Sequence, residues 1–370
     1  MAVSEIQLVR VTKRFPGGLV AVDNVDLTVG SGEVMCLLGP SGCGKTTTLR
    51  MVAGLEWATS GDILIAGKRV NHLQARDRNV AMTFQFYALY PSLTVAENLA
   101  YPLHADRLSR GEIAERIRRV AAVLELGGIL ERRPHELGEG EKQRVTVGRS
   151  IVRSPTCFLF DEPLSRLDIQ LRQTMRTQIK EILEQLDKPT VIVTHDQIEA
   201  LTMADRIAVM RDGRLEQVAT PHDLFAHPAN LFVAGFIGTP QMNLLEAVLI
   251  GTEGGAANGQ ATGRFRLLGA EIIATVEARV GSLARESPVT LGIRPRSFEL
   301  VDPAASGALP AKVDIIEPMG AEVLAHLLEG DVDLRCVMAH TTRIALGEAV
   351  GLRCKPGQLH VFGADGRLVQ

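Results

Sequence analysis

Residues Gly39-Pro40-Ser41-Gly42-Cys43-Gly44-Lys45-Thr46 fit the pattern G-x-x-x-x-G-K-[ST] at every fixed position. Glycines let the backbone turn back on itself and aim successive N–H groups inward, as a nest for an anion. The flanks match what such a loop needs. Glu33–Leu38 is a short apolar run suited to a buried strand, and Thr47–Gly54 reads as a helix that ends at glycine. A strand, a phosphate-cradling loop and a helix in that order constrain the chain to an α/β fold with a parallel sheet. Lys45 would then reach the β- and γ-phosphates of a nucleotide, and the Thr46 hydroxyl would bind Mg²⁺.

Two further strand tips carry polar chemistry. Cys157-Phe158-Leu159-Phe160 is followed by Asp161 and Glu162. Burying the run would deliver Asp161 at its end, to hold Mg²⁺ through water, with Glu162 placed to polarise an attacking water. Taken alone, this is also how a strand ending in two solvated acids reads. Thr190–Thr194 is a second apolar run, followed by His195 and Asp196. His195 could sense a γ-phosphate, although an isolated histidine is more often structural.

A chain of 370 residues is long for one core, so two domains are expected. Its formal net charge of −3 argues against a nucleic-acid binder. Five scattered cysteines with no C-x-x-C pair suggest reduced thiols in a cytosolic protein, Cys43 in the loop being a bystander. No apolar run reaches 18 residues and no signal core opens the chain, so any membrane role is that of a peripheral subunit.

Along the chain, Ile6–Val11 and Val20–Val29 read as strands, and 61–70 as a hairpin with a glycine turn. Ser109–Leu126 reads as an amphipathic helix, with Arg116, Arg118 and Arg119 on its solvated face. Ile169–Leu186 reads as a crossover helix. The segment 250–263 reads as a glycine-rich loop. Alternating strands are expected at 264–268, 271–277, 288–293, 311–317, 322–328, 333–338 and 350–354, a small barrel-like all-β domain.

The order of these motifs resembles the ATP-binding subunits of ABC transporters over residues 5 to about 237. The resemblance implies an α/β fold with a RecA-like P-loop NTPase core and a helical subdomain at about 88–155, together spanning 1–237. It then implies a β-rich OB-like (TOBE) regulatory or dimerisation domain over 238–370. ATP and Mg²⁺ are the implied cofactors. Residues 39–47, through Thr47, and Asp161 would bind nucleotide. Gln85, in Met82–Pro91, resembles the glutamine loop whose amide oxygen coordinates Mg²⁺ and the water. Phe84, Phe86 and Tyr87 would lie where the membrane subunit docks. Phe15 matches the aromatic that stacks on adenine, and Ser165-Arg166-Leu167-Asp168 the loop that crosses the dimer interface. Asn230–Asn243 and Leu291-Gly292-Ile293-Arg294-Pro295 are similar to elements of carbohydrate importers of the maltose and glycerol-phosphate type. That family usually has Glu after the Arg-Pro pair. Here Arg296 stands there, so no ligand site is carried over.

The signature is the departure. The family's Leu-Ser-Gly-Gly-Gln is here Leu137-Gly138-Glu139-Gly140-Glu141. It opens a helix whose N-terminus would face the γ-phosphate held by the other ATPase subunit. Gly138 lacks the hydroxyl. At roughly 6–8 Å and an effective dielectric near 20, each carboxylate–phosphate pair costs roughly 2–3 kcal/mol. Alternatively, Glu139 and Glu141 turn away and favour their own helix dipole.

The resemblance thus implies a transport-coupled ATP hydrolase on the cytoplasmic face of the inner membrane. Its partners would be two integral-membrane permease subunits and, indirectly, an extracytoplasmic solute-binding protein. The altered signature favours a second, distinct ATPase (a heterodimer) over a homodimer. The alternative is a regulatory subunit with little hydrolysis of its own. A soluble cassette protein of translation or repair is disfavoured, because this chain has one cassette and no long coiled-coil insert.

Overall fold

The computed structural model describes residues 5–84, 87–104, 108–165, 167–253, 260–277, 280 and 283–369. It divides into two compact units, Met1–Pro221 and His222–Gln370.

The first unit begins with β1 (Ile6–Arg14) and β2 (Val20–Val29), followed by β3 (Val34–Leu38), α1 (Lys45–Ala53), β4 (Ser60–Ile65) and β5 (Lys68–Arg69). The first strand runs three residues past its expected end at Val11, because register shifts between Leu8 and Arg14 let it keep pairing with β2. Then come β6 (Val80–Thr83), α2 (Val95–Ala100), α3 (Arg110–Val123), α4 (Glu139–Ile151), β7 (Cys157–Asp161) and α5 (Ile169–Leu186). The unit is completed by β8 (Thr190–Thr194), α6 (Gln197–Met203), β9 (Arg206–Arg211) and β10 (Arg214–Ala219). The helix expected over 109–126 forms as α3, opened by a capping box between Ser109 and Glu112.

Two sheets result. One is antiparallel, in the order β2-β1-β4-β5; the other runs β10-β9-β3-β8-β7-β6. In the second, β3 lies parallel to β8 and β9, and β7 parallel to β8 and β6. The register pairs Leu38 with Thr194, Val193 with Asp161, and Phe160 with Thr83. The carboxyl ends of β3, β8, β7 and β6 therefore form one row along a single edge, where open α/β sheets bind ligands. One core, including Leu37, Leu49, Met51 and Val193, fills the space around α1. Another, including Leu99, Leu124, Val145, Phe158 and Ile179, packs α2 to α5 on the other side of β7.

The second unit carries α7 (Pro221–Ala226) and α8 (Leu231–Phe236), then β11 (Asn243–Glu253), β12 (Gln260–Leu267), β13 (Ala270–Glu277) and β14 (Ser287–Ile293). The remaining strands are β15 (Phe298–Val301), β16 (Leu309–Met319), β17 (Glu322–Glu329), β18 (Val332–Ala339), β19 (Ala349–Cys354) and β20 (Leu359–Phe362). They build two five-stranded antiparallel sheets around one apolar core. The glycine-rich loop expected at 250–263 is shorter than that. Residues 250–253 continue β11 and 260–263 open β12, pairing Thr252 with Gly263 and Glu253 with Thr262. The alternating burial of β11 sustains the pairing where composition alone reads as loop. Arg294, in the Leu291–Pro295 element, stacks 3.5 Å over the Phe225 ring and donates to the carbonyls of Ile237 and Phe225. It is a staple for the start of this unit. Burial holds its guanidinium down to about 10.

Candidate functional site

The phosphate loop lies between β3 and α1. Gly44 has φ 105°, and a side chain there would strike the Ala21 carbonyl of β2. Gly39 is equally confined against the Met210 carbonyl. Pro40, Ser41 and Gly42 are exposed, so the open side of the loop faces outward. Lys45 is buried, with 6% of its surface exposed, and donates to Gly39 O at 2.7 Å and Pro40 O at 2.9 Å. Its ammonium is held by the carbonyls of the loop itself.

At the neighbouring tips, the Thr46 hydroxyl donates to Asp161 Oδ1 at 3.2 Å. Asp161 is buried, and burial pushes its carboxyl above the ordinary range, against the Thr46 hydrogen bond and the charges of Arg50 and Lys45. A hydroxyl and a carboxylate side by side suit a hard cation that takes few protein ligands and completes its shell with phosphate oxygens and water. Among the described residues, no group of three or more His, Cys, Asp or Glu could hold a metal by itself. The pair fits a Mg²⁺ that would arrive with a nucleotide.

Glu162 adopts φ 49° and its N–H donates to Val193 O at 2.9 Å, tying the ends of β7 and β8. This turn brings Glu162 Oε1 to 3.2 Å from His195 Nδ1. The two groups that the sequence placed on separate strands are thus one acid–imidazole pair. Phe15 lies on the turn between β1 and β2, with the Lys13 ammonium 4.8 Å over its ring. The strand that follows supplies the Ala21 carbonyl beside Gly44. Gln85 lies outside the described residues.

The altered signature opens α4 with Gly138 as its N-cap. The sequence leaves the direction of its two acids open; in the structure both engage this chain. Glu141 Oε2 accepts from the Gly138 N–H at 2.9 Å, closing a capping interaction. Glu139 accepts from Lys142 Nζ at 2.7 Å and from the Tyr87 hydroxyl at 2.8 Å. At Gly140 a side chain would press on the terminal methyls of Leu171 of α5, which would have to shift. Tyr87 and its neighbour are strapped along α4, with Thr146 donating to Tyr87 O and Arg149 to Ala88 O. A groove lined by Ala81, Phe84, Tyr87, Arg149 and Arg153 runs beside them.

The family model described as "ABC transporter" matches residues 22–165, and the TOBE domain model matches 291–362. The sn-glycerol-3-phosphate import ATP-binding protein UgpC of Salmonella typhi is 45% identical over 360 residues, covering 97% of this chain and 98% of that one. This chain is an ABC-transporter ATPase. A glycerol-3-phosphate import ATP-binding protein of Rhizobium johnstonii is 43% identical over 363 residues, with 98% of this chain and 95% of that one covered. Among solved structures, the dimeric post-hydrolysis state of an ATP-binding cassette bound to ADP and Pi is similar at 30% identity and a TM-score of 0.52. It covers 58% of this chain and 98% of its own.

ABC ATPases bind ATP, and this one brings its phosphate loop, Asp161, Glu162 and His195 to adjacent strand ends. No helix among the described residues is long and apolar enough to cross a membrane. Sequence reasoning missed what lies behind His195, where Thr194, Asp196, Glu199 and Arg172 are joined by hydrogen bonds. The available clue was the spacing of Asp196 and Glu199 at the start of a short helix.

Proposed function

We propose that this chain is the peripheral ATPase subunit of an importer for a polar, carbohydrate-like solute, with glycerol phosphate the leading candidate. The near-full-length similarity to import proteins of that name supports the solute class. The observation that carries the hydrolytic reading is the Glu162–His195 pair, 3.2 Å apart, beside the Thr46–Asp161 pair. The subunit works on the cytoplasmic face of the inner membrane, with two permease subunits and an extracytoplasmic solute-binding protein.

In this reading Phe15 stacks on adenine and residues 39–47 wrap the phosphates. Lys45 exchanges its two loop carbonyls for β- and γ-phosphate oxygens. Thr46, Asp161 and Gln85 would hold Mg²⁺, which would neutralise charge on the phosphate oxygens. Glu162 accepts a hydrogen bond from the attacking water, and His195 is held against it to meet the γ-phosphate. Catalysis is positioning and electrostatics, with little covalent work for the protein. The groove beside Phe84 and Tyr87 receives the permease, so that closure of two ATPases pulls on the membrane subunits.

The second ATPase presents its signature to this chain's nucleotide. Gly138, without a hydroxyl, favours a distinct partner with an ordinary signature. A homodimer is the second reading, and the in-chain pairing of Glu139 with Lys142 favours it, because it offsets part of the expected repulsion. Co-purification with the permease from the native host, with each ATPase subunit identified by mass, decides between them. Steady-state ATP turnover of that complex tests the function itself. Turnover that rises with loaded binding protein supports an importer ATPase, and absent turnover in the intact complex leaves only a regulatory subunit.

A further inference from the structure

His195 is flanked by two residues that are each pinned. The Thr194 hydroxyl donates to Glu199 Oε2 at 2.8 Å and accepts from the Asp196 N–H at 3.0 Å. One hydroxyl therefore fixes the backbone on both sides of the histidine. Asp196 Oδ1 caps α6 through the N–H groups of Ile198 and Glu199. Its other oxygen receives Arg172 NH1 at 3.2 Å, and Arg172 NH2 donates to Leu167 O at 3.0 Å. A continuous chain of hydrogen bonds thus runs from the loop around Leu167, through α5, to the loop that holds His195.

Glu199 ends that chain and is its most costly member. It is 3% exposed, and its Oε1 has no hydrogen-bond partner. A buried carboxylate satisfied on one oxygen is expensive unless it serves a purpose. The groups around it are Cys36 of β3, Arg172 and Arg176 of α5, and Asp196 at the start of its own helix. Burial is the main cause that pushes its carboxyl up to about 7. Asp196 adds to this, and the Thr194 hydroxyl, Arg176 and Arg172 oppose it.

We propose that Glu199 is a positioning residue for ATP hydrolysis: through the Thr194 hydroxyl it holds His195 against Glu162, and through Asp196 and Arg172 it joins that contact to the loop carrying Leu167. The proposal rests on the reading of Glu162 and His195 as the hydrolytic pair. Ionised Glu199 is the stronger acceptor for Thr194. The clasp is then tight above neutral pH and slack below it.

The test uses the full-length chain, with an NMR titration of the His195 ring assigned by comparison with His195→Ala. In the parent protein the His195 ring should report a second inflection near neutral pH, and that inflection should vanish in Glu199→Gln, which keeps size and an acceptor. Identical single-step curves in both proteins overturn the proposal. In the intact transporter, Glu199→Ala should lower kcat about tenfold with the KM for ATP within about twofold, a positioning effect of ordinary size. Glu199→Gln, the neutral isostere of the protonated carboxyl, should hold turnover at the parent's low-pH level and lose its rise across neutral pH. A kcat that rises with pH in Glu199→Gln as in the parent also overturns the proposal. Normal turnover in His195→Ala would instead remove the hydrolytic-pair reading, leaving the NMR result to judge the clasp alone.

Discussion

The strand tips and the start of α4 handle charge in opposite ways. At the tips, Lys45, Asp161 and Glu199 are buried, and their charge is met by loop carbonyls, one hydroxyl or a single hydrogen bond. At the start of α4, Glu139 is paired at the surface with Lys142 and Tyr87, and Glu141 accepts from the helix N-cap N–H. Lys45 and Asp161, buried with only partial internal partners, suit the charge of a ligand. Surface charge already paired serves the helix that carries it. In the proposed function this chain's signature faces the partner's nucleotide, so its alteration leaves the phosphate loop and strand tips of this chain intact.

The contrast can be broken most forcefully at Lys45. Lys45→Ala should reduce ATP turnover of the assembled transporter by at least about 100-fold, as loss of one preorganised charge donor does. Nucleotide binding should weaken with it, and retained tight binding would show that the loop backbone suffices.

Glu199 sharpens the same side through stability. Its folded pKa of about 7 lies above the ordinary 4.5, so the folded state holds the proton more tightly than the unfolded chain. The resulting stabilisation is fully present below about pH 4.5 and is lost as pH rises through about 7. Over that window the parent chain should lose up to about 3 kcal/mol relative to Glu199→Gln, since each pH unit between the two values is worth about 1.4 kcal/mol. Denaturant midpoints of the two proteins between about pH 5 and pH 8 measure it. Parallel curves would mean that Glu199 is ordinary.

The smallest effect belongs to the other side. Glu139→Gln should cost only about 0.5 kcal/mol, from a half-exposed pair with Lys142 and the helix dipole. The loss should fade at high salt. A loss well above that in about 1 M salt would mean that Glu139 is more than a surface partner.

The sequence made the tips legible because their chemistry is local. The octapeptide, the acid pair after Cys157–Phe160 and the histidine after Thr190–Thr194 each announce themselves within a few residues, and the parallel register brings them together. The direction of Glu139 was not legible, since it depends on Tyr87, far away in sequence and strapped to α4 by Thr146. Nor was the Thr194–Glu199 clasp, whose spacing matches no helical or strand period. In the second unit, glycines near 250–263 concealed two strand ends that alternating burial sustains.

In the proposed function Glu162, set against His195 at the end of β7, supports hydrolysis at this chain's own nucleotide site. Glu162→Gln in the transporter purified with its permease tests it most directly, by ATP turnover and by retention of bound nucleotide. Turnover should fall by about 100-fold or more, with ATP retained unhydrolysed in a closed dimer. Turnover at the parent rate would contradict it.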